Sequence, residues 1–230
     1  MLGTTWINSQ IVFDGLVQGL AISVIAVGVI LVYRASRIIN FAVGNMGVIG
    51  ATLLSLLVVQ YHVPFWVALP IALITGLALG AIVDATVIRR LRKSPRVVVL
   101  VATIGIAQIA EAIAYKIPQP TSLSLHYPSA INGLWTVAGV QMRGSDLSIL
   151  IIVPVTLIAL TWFLDRTTIG RTVKACASNP QLARLSSISP KIVSTLVWAL
   201  AAGLSTLSIV LIAGQSGSAG DVTTLGDQTL

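Results

Sequence analysis

Six stretches of about twenty apolar residues, parted by short polar connections, leave this chain few folds to choose from. A bilayer core of about 30 Å needs roughly 20 such residues per helix. The runs cover approximately residues 11–33, 38–61, 65–88, 97–117, 147–164 and 192–213. Only 9% of the 230 residues are charged, against roughly 25% in soluble domains, and the mean hydropathy is +0.95. The sequence predicts an all-α polytopic transmembrane bundle of about six spans, forming one domain over residues 1–230.

The second run is unusual. It opens Asn40-Phe-Ala-Val-Gly44-Asn45-Met-Gly47, too polar and glycine-rich to face lipid. Irregular backbone at membrane depth is tolerated only where protein or water surrounds it, so this span is expected to be broken or re-entrant.

Charge sets the orientation. The first connection holds Arg34 and Arg37; the third Arg89, Arg90, Arg92, Lys93 and Arg96; the fifth Arg166, Arg171, Lys174, Arg184 and Lys191. Of the 14 basic residues only Lys116 and Arg143 lie elsewhere. The positive-inside rule puts the odd-numbered connections in the cytoplasm and the N-terminus outside. The same rule accounts for the net charge of +7 without nucleic acid as a partner. The N-terminus lacks the basic start of a cleavable signal peptide. The tail GQSGSAGDVTTLGDQTL contains no span and reads as a loop leading onward, so the chain is expected to be incomplete.

Catalysis finds little support. The one cysteine, Cys176, forms no intrachain disulfide and fits no metal site. The Gly214-Gln-Ser-Gly motif resembles an intramembrane serine protease signature, but no histidine follows Ser216, and a polar loop explains it better. A phosphate loop is also missing, so any ATP-driven process needs a separate ATPase.

The polar residues inside spans carry more. Asp14 and Gln18 lie in the first, Asp84 near the cytoplasmic end of the third and Glu111 in the fourth. Ionisable groups at bilayer depth are costly and mark pathways or helix-pairing networks. On the fourth helix Thr103, Gln108 and Glu111 fall within an arc of about 140° at 100° per residue, giving one polar face that is expected to look inward. Gly76-Leu-Ala-Leu-Gly80 is a small-residue packing motif, as is Gly47 with Ala51. In the external loop 116–146, Ala138-Gly139 between short alternating runs predicts a hairpin, either a docking element or a lid.

The fifth connection, 165–191, reads as two helical pieces. Asn179-Pro180 and Ser189-Pro190 are each N-cap followed by N1. Arg171, Lys174 and Ser178 form a basic stripe, and Leu182, Leu185 and Ile188 can share one side. Such a piece can lie in another protein's groove or on anionic lipid.

This segment resembles the cytoplasmic coupling loop of the branched-chain amino acid family of ATP-binding-cassette permeases. Gly170, Lys174, Ala175, Ala177, Asn179, Ala183, Leu185 and Ile188 fall in register with the family pattern, and Ser187 stands where glycine is usual. A second similarity is YRASRIINFAVGNMGVIGA at 33–51, in which Asn45 replaces a common acidic residue. VATIGIA at 101–107 and WALAAGLSTLSIVLIAG at 198–214 are similar as well, and all four are collinear. The resemblance implies a permease subunit in the cell membrane, without cofactor, importing branched-chain amino acids or a related small solute such as urea or an amide. It implies cytoplasmic ATPase subunits, a second permease subunit, an extracytoplasmic solute-binding protein and surrounding membrane lipid as partners. ATPase coupling would rest on Gly170, Lys174, Ala177, Asn179, Leu182, Ala183, Leu185 and Ile188. The translocation path would include Asn40, Gly44, Asn45, Thr103, Gln108 and Glu111. A proton-coupled secondary transporter using Glu111 or Asp14, or a channel-like protein, are the competing readings.

Overall fold

The computed structural model describes residues 9–92, 94–118, 128–131, 133–137, 140–178, 183 and 189–216. Seven helices account for nearly all of the described regular structure. They are α1 Ser9–Ser36, α2 Val43–Ser55, α3 Phe65–Val83, α4 Arg96–Lys116, α5 Gly144–Arg166, α6 Thr168–Ser178 and α7 Pro190–Ser216. A wider π-helical turn, Leu56–Gln60, prolongs α2, and another, Asp84–Ile88, followed by Arg89–Leu91, prolongs α3. Six of these helices are long and apolar enough to cross a membrane, α6 being the exception. The chain is an all-α polytopic bundle, as its hydropathy requires.

The helices exceed the apolar runs at most ends, because flanking polar residues continue the hydrogen-bonded ladder into the headgroup region. The exception is the second span. Its apolar pattern begins at residue 38, but the helix starts only at Val43, and residues 37–42 are irregular. Asn40 causes part of this: its side-chain oxygen accepts the Ala42 amide at 2.9 Å, a local bond that competes with helix formation.

The six spans alternate in direction. Arg37, Arg92, Arg96 and Pro190 gather at one end around a shared cavity. At the other, the Gln10 side chain pairs with both backbone groups of Gln141, accepting its amide at 2.8 Å and donating to its carbonyl at 3.1 Å. The expected hairpin is there: Leu134–Val137 (β1) pairs antiparallel with Val140–Arg143 (β2), Val137 opposite Val140. The Ala138-Gly139 turn lies outside the described residues.

The core is organised by α7. Its span is 83% buried, against 17–61% for the other five, and α1, α2 and α3 all pack on it. Small residues make that approach possible. A side-chain carbon added at Gly47 would collide with Ser205, at Gly76 with Thr206 and at Gly80 with the Trp198 carbonyl. At Gly50 it would meet Thr206 and come within 2.9 Å of the Ala72 carbonyl. The fully buried hydroxyls stitch the seam: Ser208 donates to the Ala21 carbonyl on α1 at 2.6 Å, and Ser205 to the Gly44 carbonyl on α2 at 3.1 Å. Such interhelical bonds and close contacts replace the hydrophobic drive that lipid abolishes.

Gly50→Ala and Gly19→Ala separate packing from helix propensity. Alanine favours helix over glycine by about 1 kcal/mol at either position. Gly19 has nothing within 4 Å of the added carbon, so Gly19→Ala is expected to hold or raise thermal stability in detergent. Gly50→Ala is expected to lose about 1–3 kcal/mol by overpacking.

Candidate functional site

The irregular segment before α2 runs along α4, and its depth follows from the partners it meets. The Phe41 amide donates to Thr103 Oγ1 at 3.4 Å. Asn45 Nδ2 reaches the Ala107 carbonyl and Glu111 Oε2, each at 3.4 Å. With a rise of about 1.5 Å per residue, Ala107 stands about 16 Å along α4 from Arg96, close to the middle of a core of about 30 Å. The helix α2 therefore begins about three turns in from Arg96, level with the Thr103–Ala107 stretch of α4. The first-turn N–H groups of a helix have no intrahelical acceptor and give that end a partial positive charge.

Around this helix start Asn40 and Asn45 are buried, Gly44 is half-buried, Thr103 is fully buried and Glu111 is half-buried. Five of the six residues that sequence reasoning grouped as a path thus meet at one place. The sixth does not join them: Gln108 is exposed on the outward side of α4. The buried side of α4 carries Val99, Thr103, Ile106, Ala107, Ala110 and Ala114, and at 100° per residue Gln108 lies about 140° round the helix from Thr103.

A second polar cluster stands at the basic end. Asp84 is completely buried. Its carboxylate accepts bonds from Ser194 Oγ at 2.7 Å and Thr195 Oγ1 at 2.6 Å, and Arg89 Nε and Arg92 Nη2 lie 3.6 and 4.0 Å away. Buried charge of this kind is tolerated only with such partners. The cluster ties the end of α3 to the first turns of α7. The sequence marked Asp84 as a polar residue near a span end; its partners on α7 carried no signal, because serine and threonine one turn inside a helix are ordinary.

The fifth connection folds back on the bundle. Thr167 adopts extended backbone between α5 and α6, and its hydroxyl caps the Gly170 amide at 3.0 Å. Gly170 sits so close to Leu164 and the Phe163 carbonyl that a side chain there would collide. Lys174 pairs with Asp165. Val173 and Cys176 are buried, Ala177 is half-buried, and Arg171, Lys174, Ala175 and Ser178 are exposed. Of the second helical piece only Ala183 is described; Asn179, Leu182, Leu185 and Ile188 lie outside the described residues. Ala183 is 4% exposed, in the apolar cluster with Val173, Cys176 and Val193. Its small side chain fits the chain's own packing.

Six spans with polar residues buried between them form an architecture that membrane transport subunits share. The family described as branched-chain amino acid transport system / permease component matches residues 11–224, and the chain belongs to it. The LivH high-affinity branched-chain amino acid transport system permease protein of Salmonella typhimurium is 26% identical over 216 residues, 88% of this chain and 70% of that protein. LivH of Escherichia coli K12 shows the same identity and coverage. BraD of Pseudomonas aeruginosa, a permease protein of the same kind, is 26% identical over 220 residues, 90% of this chain and 71% of BraD. No solved structure matches the chain significantly.

Burial pushes the Cys176 thiol upward from its ordinary value, and only the thiolate reacts readily. The native thiol is thus a poor topology reporter, whichever side it faces. In a Cys176→Ser background, Ala175→Cys is expected to react with maleimide much faster than Cys176 does in the unmodified protein, both measured in detergent at pH 7.

Proposed function

We propose that this chain is the membrane-spanning subunit of an ATP-binding-cassette importer that carries branched-chain amino acids, or a closely related small solute, across the cytoplasmic membrane. The observation that carries this reading is the start of α2 inside the bundle, beside Asn45, Thr103 and Glu111. An amino acid is a zwitterion. Its carboxylate suits the positive end of a helix that begins inside the membrane, and its ammonium suits the Glu111 carboxylate four residues above Ala107. The family membership and the names of LivH and BraD support the substrate class. ATP hydrolysis then belongs to separate cytoplasmic subunits, a second permease subunit completes the path, and an extracytoplasmic binding protein delivers the solute. The distribution of basic residues supports an outside N-terminus.

In this reading Glu111→Gln raises KM for leucine uptake about tenfold in the assembled transporter, the loss of one charge-assisted bond. Asn40→Leu and Gly44→Leu lower uptake at unchanged membrane level. Uptake at wild-type KM and rate in all three variants would remove the helix start from the path.

The ATPase contact falls on the exposed side of α6 in the same reading. Arg171→Glu combined with Ala175→Asp is expected to leave membrane insertion intact and to abolish ATPase co-purification. Because Ala183 is buried against its own chain, a substitution there tests folding of the connection rather than docking.

A further inference from the structure

At the basic end of the bundle a cavity of about 330 Å³ opens between the end of α1, the α3–α4 connection and the start of α7. Three guanidinium groups from separate segments line it: Arg37 after α1, Arg92 after α3 and Arg96 at the start of α4. Arg92 is 4.0 Å from Asp84. The side chains of Arg37 and Arg96 form no ion pair or hydrogen bond among the described residues. Ile38, Ile88 and Val99 form the apolar part of the wall.

Arg37 stands apart from the other cations in two ways. Its φ is 57°, a left-handed conformation that a non-glycine residue adopts at a cost of about 1–2 kcal/mol. Backbone strain of this kind persists where the surroundings over-determine it, and it gathers at binding sites. Arg37 also lines a neighbouring cavity of about 580 Å³ between α1, α5 and α6, together with Arg34 and Lys174.

We propose that the smaller cavity binds the phosphate headgroup of an anionic phospholipid, held by Arg37 and Arg96 with Arg92 behind them. Convergent arginines suit phosphate because the planar fork offers paired donors. Lipid is the source favoured over a soluble anion for two reasons. The site lies at the ends of membrane-spanning helices, where basic pockets between helices meet headgroups. Its wall is apolar on one side, and Val97 and Val98, next to Arg96, are 70% and 44% exposed, leaving a surface for acyl chains. Positive charge on this side of a membrane protein is ordinary; convergence on one cavity of two arginines without an ion-pair partner among the described residues, beside a third, is not. The inference stands independently of which solute is transported.

The test uses the full chain in neutral detergent and reads thermal unfolding during titration with dioleoyl phosphatidylglycerol, dioleoyl phosphatidylcholine or glycerol phosphate. Phosphatidylglycerol is expected to stabilise saturably, and the other two to have little effect. Arg37→Asn, which keeps a residue tolerant of the left-handed backbone, and Arg96→Gln should each weaken the phosphatidylglycerol effect about tenfold. Arg90→Gln, an exposed cation outside the cavity, should leave it unchanged. Three results would each overturn the proposal: equal stabilisation by phosphatidylcholine, equal stabilisation by glycerol phosphate, or an Arg90→Gln loss as large as that of Arg37→Asn. The second would identify a soluble-anion site instead, and the third a diffuse surface charge.

Discussion

The close approach of α1, α2 and α3 to α7 is the contact on which the rest of the bundle depends. Lipid offers no hydrophobic reward for bringing helices together, so the association rests on dispersion and interhelical hydrogen bonds. Both fall off steeply with distance. Glycines at 47, 50, 76 and 80 remove the atoms that would hold backbones apart, and the Ser205 and Ser208 hydroxyls then fall within reach of carbonyls on α2 and α1. The helix that would look least distinctive in a hydropathy plot is therefore the axis of the molecule.

The same axis links the two polar places. Ser205, in the middle of α7, bonds to Gly44 in the first turn of α2. Ser194 and Thr195, near its first turn, hold Asp84. The residues that enter α7 come directly from the fifth connection, which carries α6. The fifth connection thus leads into a helix whose span is 83% buried and which holds a polar anchor at each level.

Much of this was legible in the sequence. Span number, strand pairing near Ala138-Gly139 and the irregular approach to the second span follow from apolar run length, turn chemistry and the polar opening at Asn40; the span itself is one continuous helical run rather than a broken one. The grouping of Asn45, Thr103 and Glu111 was legible because polar residues inside spans are few and need partners. The exposure of Gln108 was not, since periodicity fixes a helix face only to within the width of its neighbour. Nor was the burial of Cys176 and Ala183. Both lie in a connection whose polarity suggests solvent, and only the tight turn at Gly170 shows that it folds back. The Asp84 partners stayed hidden because they lie 110 and 111 residues away in sequence.

The late start of α2 has a geometrical consequence. A helix with its side chains fills a cylinder about 10–12 Å across, whereas residues 37–42 are bend, irregular chain and turn, with Arg37 left-handed and Ala42 in the helical region. Over residues 37–42 the second span therefore lacks the regular rod that the other spans supply. Both cavities at the basic end border this part of the chain, through Arg37 and, in the smaller one, Ile38. The irregular approach to α2 thus coincides with the open space at the basic end of the bundle.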